Sequence, residues 1–299
     1  MTNETNIKRR TSSSAASDAA LSPSFLSHRA SLERRKFLTG LGTAAVGAVT
    51  AGVVGRATAA GADVASSVTP SVCVFDVNGS LLDVDSTAPF FQRLFGDGVK
   101  MARIWYDNLV FYASVIASSG SYPGTFIELG QAALQMVASV YHVELRPADL
   151  DELKTQILSM RMFPDVPDGL RMLKDAGFRL ATLTNSPPGP QGSEYQLSRA
   201  GIADLFEQHF NTASVRTYKV APSAYRMAAE QMGVSTRACC MISAHAWDGL
   251  GAQFVGYSSA LMHRPGQASL PMAGLPQPLA VAPDLPGVAA QLIQIRRNQ

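Results

Sequence analysis

Cysteine is scarce in this 299-residue chain, with three residues at positions 73, 239 and 240. An odd count with two adjacent members makes a poor disulfide framework. All three lie in apolar runs and read as small buried hydrophobes. There is no Cys-x-x-Cys pair and no histidine-rich cluster, and the scattered His142, His209 and His263 do not form a metal set. Charge is also sparse, at 16% of residues against 46% hydrophobic, the composition of a compact soluble protein. The net charge of +2 is unevenly spread. Residues 1–59 hold eight of the 25 basic and three of the 23 acidic side chains, leaving 17 and 20 for the remainder. A mildly acidic body has no basic stripe, which excludes nucleic acid as a partner class.

The first 59 residues read as a separate segment. Met1 to Ser31 is rich in Ser, Ala and Thr without sustained periodicity, which predicts disorder. Arg34-Arg35-Lys36-Phe37-Leu38 then precedes a weakly apolar run from Leu41 to Val54, and Ala57-Thr58-Ala59 offers small residues at a cleavage position. The run is short and glycine-rich for a membrane span of ~20 residues. The pattern resembles a twin-arginine export signal. It implies the twin-arginine export machinery as a partner, a periplasmic or otherwise exported location, and a mature chain beginning near Ala60.

The rest alternates apolar β-rich runs with helical patterns. Ser71–Phe75 stops at Asp76, Gly177–Leu183 at Thr184-Asn185, Ala238–Ile242 at Ser243, and Tyr257–Met262 at His263-Arg264. Helices are predicted over Asp168–Ala176, Ser193–Ala200 and Pro222–Met232. This order predicts an α/β fold, a doubly wound parallel sheet with helices on both faces and ligands at the carboxyl ends of its strands. From Ala88 to about Met160 only helical signals occur, over Arg103–Ile116, Thr125–Val140 and Pro147–Leu158. They predict a helical cap inserted at 88–164 into a core of 70–87 and 165–266. Residues 267–299 read as a Pro/Gly-rich segment wrapping the surface, with a closing helix over Asp284–Arg296. Trp105 and Tyr112 read as cap core. Asp149, Asp151 and Glu152 read as a solvated helix N-terminus after Pro147.

Phe75-Asp76-Val77-Asn78-Gly79-Ser80-Leu81-Leu82-Asp83 is the most informative segment. A carboxylate just past a buried strand, followed by a Gly turn and a hydroxyl, suits an aspartyl nucleophile that forms and then hydrolyses an ester. On its own Asp-x-x-Gly is more often a plain turn. The other strand ends add a hydroxyl and amide at Thr184-Asn185, a lysine at Lys219 ahead of Tyr225, and Ser243-Ala-His245-Ala-Trp247-Asp248.

In that order, nucleophile, hydroxyl, lysine and acid resemble the four motifs of the haloacid dehalogenase superfamily across residues 71–266. Asp-Val-Asn-Gly-Ser-Leu-Leu-Asp at 76–83, Thr-Asn-Ser-Pro at 184–187, Tyr-Lys at 218–219 and Ala-Trp-Asp at 246–248 look like the type II L-2-haloacid dehalogenases. The resemblance implies a Rossmann-like core and hydrolytic dehalogenation of small (S)-2-haloalkanoic acids through an ester on Asp76. It implies that Ser80, Thr184 and Lys219 hold the nucleophile and the substrate carboxylate. Tyr225 and Ser243 would support Lys219 and Asp248. Asp248, with His245, would orient or deprotonate water, and Asn185 and Trp247 would line the leaving-group pocket.

Asn78 stands where the superfamily's phosphatases carry an acid that protonates the leaving alkoxide, and an amide cannot do so. Ser243 takes the place of one acid of their magnesium site. No cofactor is therefore expected, with weak magnesium binding through Asp248 only under the alternative of a phosphate or phosphonate ester substrate. A catalytically silent binding relative is the third reading. Two residues depart from the dehalogenase pattern. Tyr106 follows Trp105 where an arginine receives the halide, and His245 stands where the best-known members have Asn. An apolar cap face leaves a homodimer open.

Overall fold

The computed structural model describes residues 69–298. The export-signal pattern at Arg34-Arg35 lies outside them. The core is a six-stranded sheet in the order β5-β4-β1-β6-β7-β8 with every neighbouring pair parallel. Its strands are β1 (Val72–Phe75), β4 (Arg179–Thr184), β5 (Gln208–Asn211), β6 (Cys239–Ser243), β7 (Ser258–Met262) and β8 (Ala280–Ala282). Two-residue strands β2 (Leu82–Asp83) and β3 (Arg161–Met162) pair antiparallel at the point where the chain leaves the core and returns to it.

Side-chain alternation divides the core in two. Cys73 and Phe75 face a layer with α5 (Val166–Asp175), α6 (Ser193–Arg199) and α9 (Leu285–Arg297). Val72 and Val74 face α7 (Pro222–Gln231) and α8 (Ala246–Gln253). Parallel strands covered on both faces read as continuous apolar runs, which is why four of them stood out. The cysteines are free and fully buried, and burial pushes the Cys240 thiol up to about 12.

Four helices, α1 (Ala88–Phe95), α2 (Gly98–Ser118), α3 (Phe126–Val140) and α4 (Pro147–Leu158), intervene between β2 and β3. Their starts follow capping chemistry. Thr125 accepts from the Glu128 backbone while the Glu128 carboxylate takes the Thr125 N–H, which fixes α3. Trp105 is fully buried and donates to the Gly130 carbonyl at 2.8 Å, joining α2 to α3.

β5 adds a strand that the four apolar runs do not include, and three expectations are corrected. Residues 267–299 do not merely wrap the surface, since Ala280–Ala282 forms the sixth strand beside β7. Tyr112 is 40% exposed, because it falls on the outer face of α2. Asp149 is buried rather than solvated, held by Arg146 at 2.8 Å and Arg93 at 3.0 Å, a pairing across separate helices that local sequence does not reveal.

Candidate active site

Asp76 follows β1 directly, and its N–H bonds the Ile242 carbonyl at 3.0 Å, so the β1–β6 ladder fixes its backbone. The chain then folds over the Val77 carbonyl, which accepts from the N–H groups of Ser80, Leu81 and Leu82. Gly79 supplies the left-handed φ of +84° that this turn needs. The turn brings Ser80 back to Asp76, where its hydroxyl donates to Oδ2 at 2.6 Å and accepts from the Ala244 N–H at 2.9 Å.

Lys219 enters from the loop before α7. Its N–H donates to Asn185 Oδ1 at 2.7 Å, and its buried ammonium donates to Asp76 Oδ1 at 3.1 Å and Asp248 Oδ2 at 2.9 Å. Tyr225 donates to Asp248 Oδ1 at 2.8 Å. His245 Nδ1 lies 3.1 Å from Asp76 Oδ2. An ionised carboxylate has only acceptors to offer, so the ring nitrogen is the donor in this bond.

Burial alone would lift the Asp76 carboxyl. Lys219, together with the His245 and Ser80 bonds, outweighs it and holds Asp76 well below the usual carboxylate range. Burial lifts Asp248 against the pull of Lys219, and repulsion from Asp76 adds to the rise. Burial would lower Lys219, but its two carboxylates reverse the sign and raise it. The cluster is one ammonium between two carboxylates, of which Asp76 is the less deeply buried.

A cavity of about 60 Å³ lies beside the cluster, lined by Gly79, Asp85, Arg103, Tyr106, His245 and Arg264 among others, and it meets the cluster through His245. Tyr106 is buried and donates to the Asn78 carbonyl at 2.7 Å, so its phenol braces the turn after Asp76. Burial, with Asp76 nearby, pushes that phenol well above its ordinary value, so it stays protonated. Arg103 makes no hydrogen bond to Asp76, and its guanidinium is engaged by Asp85 at 2.5 and 2.9 Å.

Not every expected site residue faces Asp76. Ser243 sits under Ser80 at 3.4 Å and accepts the His245 N–H at 3.0 Å, so it supports those two residues instead of Lys219 and Asp248. Thr184 accepts the Ser186 N–H at 3.1 Å. The Asn185 carbonyl is committed to Lys219 and Thr212, so this residue places the lysine. Asn78 donates to Ser186 at 3.1 Å and accepts from Gln196 at 3.3 Å, which turns its amide into the packing. Trp247 stacks on His245 with ring centroids 5.2 Å apart. Gln196 on α6 and Arg264 after β7, whose Nε donates to the Ser80 carbonyl at 3.1 Å, escaped sequence reasoning. Arg264 at least stood at a strand end, whereas Gln196 carried no local signal.

A carboxylate kept ionised beside a small cavity is suited to forming an ester and being freed again by water. Such an arrangement suits a hydrolase. The model of the haloacid dehalogenase-like hydrolases matches residues 70–256, and the chain belongs to that family. It is 28% identical over 203 residues to an (S)-2-haloacid dehalogenase of Pseudomonas sp. (strain YL), covering 68% of this chain and 86% of that one. It is 28% identical over 195 residues to haloacetate dehalogenase H-2 of Moraxella sp. (strain B), covering 65% and 86%. The fold is that of the L-2-haloacid dehalogenase from Xanthobacter autotrophicus solved with chloropropionic acid covalently bound. That match has a TM-score of 0.67 and 22% identity, over 77% of this chain and 99% of the other.

Proposed function

We propose that the protein hydrolyses the carbon–halogen bond of small (S)-2-haloalkanoic acids through an ester on Asp76. The observation that carries this reading is the state of Asn78. It occupies the place from which an acid would protonate a departing alkoxide, and its amide is tied to Ser186 and Gln196. A halide leaves without a proton, so the arrangement suits it and handicaps an ester leaving group. The curated relatives named as haloacid dehalogenases support the same substrate class.

One oxygen of Asp76 attacks C2 from the side opposite the halogen. The C–O bond forms as the C–X bond breaks, and the halide departs with the bonding pair. Lys219 and Ser80 keep the carboxylate ionised and aimed, and the Thr184 hydroxyl and the Asn185 amide nitrogen offer donors to the substrate carboxylate. The donor set does not fit a divalent cation. The ammonium of Lys219 stands between Asp76 and Asp248, where a bridging metal ion would need to be, and Ser243 replaces a carboxylate. The reaction is therefore proposed to proceed without a metal.

The test is halide release from L-2-chloropropionate by residues 60–299, with and without EDTA, beside a generic phosphate monoester. The expected result is stereospecific, EDTA-insensitive halide release that disappears in Asp76→Asn. Magnesium-dependent phosphate release without halide would overturn the substrate assignment. We further infer export through the twin-arginine route, on the strength of Arg34-Arg35-Lys36-Phe37-Leu38 and the small residues at 57–59.

A further inference from the structure

Lys219 reaches Asp76 and Asp248 from the loop before α7, and the residue just ahead of it is anchored in the cap. Tyr218 is fully buried, and its hydroxyl donates to the Gly124 carbonyl at 2.6 Å, in the connection between α2 and α3. Its ring packs against Tyr122, with centroids 5.2 Å apart, and against Phe126 at 6.2 Å, where α3 begins. Two residues upstream, the Arg216 guanidinium lies over the Tyr122 ring at 5.6 Å. Tyr122 is thereby gripped from the lysine loop by a cation and by an aromatic ring. Arg216 keeps a left-handed φ of +48°, which is costly for a non-glycine residue and persists where the surroundings fix it. Burial pushes the Tyr218 phenol up to about 12, so it stays a donor through the neutral range.

Consecutive residues share a rigid peptide plane, so Tyr218 cannot shift without moving the Lys219 backbone. The core holds that backbone through the Lys219 N–H, which donates to Asn185 Oδ1 at 2.7 Å. The cap holds it through the Tyr218 phenol. Beyond these two anchors the ammonium commits its donors to Asp76 at 3.1 Å and Asp248 at 2.9 Å. Coulomb attraction falls with distance, and a site this buried has little water to replace it. A slackened lysine loop therefore weakens the hold on Asp76. The cap also touches the turn after Asp76, through Tyr106 on the Asn78 carbonyl. One tyrosine contact thus ties the cap to each of the two loops that carry the ion pair.

We propose that Tyr218 is a positioning residue through which the cap seats Lys219, so that the lysine grips Asp76 fully only beneath a docked cap. The inference deepens the aspartyl-ester reading above and rests on it. When the cap lifts to admit substrate, Tyr122 and Gly124 draw away from Tyr218 and the lysine loop slackens. When the cap docks over a bound haloacid, Tyr218 is gripped again and Lys219 tightens on Asp76 Oδ1. The attacking carboxylate is thus aimed at the moment the site closes to water, and the first half-reaction waits for that closure.

The test compares the full chain with Tyr218→Phe, which keeps the ring and removes the bond to Gly124, and with Tyr122→Ala and Tyr122→Phe at the half-buried partner. Each protein is labelled with acetic anhydride well below its thermal midpoint. Mass spectrometry then gives the modification of Lys219 relative to that of the exposed Lys100. Tyr218→Phe and Tyr122→Ala are expected to raise this ratio by about tenfold, through easier local opening of the lysine loop. The first-turnover halide burst from L-2-chloropropionate should slow by about tenfold in the same two variants. Tyr122→Phe retains the ring and should bring both readouts back to within about threefold of wild type. A clasp that is merely structural would lower the thermal midpoints of the variants and leave the Lys219 ratio and the burst unmoved while they are folded, and that result would overturn the proposal. So would a burst that slows with no rise in Lys219 labelling. The labelling needs no substrate, so a wild type that releases no halide would sink the aspartyl-ester reading while the Lys219 ratio still decides the role of Tyr218.

Discussion

Lys219 Nζ answers two buried carboxylates at once, so its removal leaves both without a counter-charge. Breaking such a pair from one side costs on the order of 3–5 kcal/mol. Lys219→Met should lose about that much stability in denaturant titrations and should not form the ester. The sign of the pH effect on the first half-reaction follows from Asp76. Its folded-state value lies below the ordinary one, so the nucleophile is already ionised across the neutral range and gains nothing as pH rises. The first-turnover halide burst should stay flat from pH 9 down to about 4 and decline only below that; a burst that titrates near neutrality would contradict the assignment of Asp76. Gly79→Ala meets both a left-handed φ and the imidazole, and should slow steady-state turnover while the protein remains folded. Asp76, Ser80, Lys219, Tyr225 and Asp248 were legible because each sits at a strand end or helix start with the right chemistry. The true partners of Ser243 and the amide contacts of Asn78 and Asn185 were not, since they depend on residues such as Gln196 and Thr212 from distant segments.

At the level of single elements, α4 shows what local pattern conceals. Pro147 and the acids after it marked the helix start correctly, but Asp149 turns inward and binds Arg146 and, from α1, Arg93. These bonds depress its carboxyl below the ordinary range, led by the Arg146 side chain. A depressed folded-state value means the stabilisation is present above the unfolded carboxyl's titration near 4 and is lost as pH falls through the folded value. Asp149→Asn should therefore lower the thermal midpoint at pH 7, by the equivalent of about 1–3 kcal/mol for an imperfectly satisfied buried group. The gap to wild type should narrow at pH 3. An equal gap at both values would argue against the ion pairs as its source. Two strands of the six-stranded sheet also escaped notice. Gln208–Asn211 has no apolar run and begins with an exposed Gln208, and Ala280–Ala282 is only three residues long between prolines. Both lie at sheet edges, where pairing on one side suffices and the sequence is less constrained.

For the molecule as a whole, the alternating order of strands and helices made the parallel α/β core readable, and the uninterrupted helical stretch announced the insertion. The order of strands in space could not be read the same way, because it is set by crossover packing. The proposed export belongs to this scale too. Replacing Arg34 and Arg35 together with lysine should leave the protein in the cytoplasm when cell fractions are compared, and an unchanged distribution would remove the twin-arginine reading. The three central strands β4, β1 and β6 bear Thr184, Asp76 and Ser243 at their ends, yet the cap separates β1 from β4 by about a hundred residues of chain. Contacts so distant along a chain form late, because the ends of a long loop must first meet. Regain of halide release during refolding therefore cannot run ahead of β1 finding β4, which makes the enzyme's own turnover a clock for the slowest meeting in its assembly.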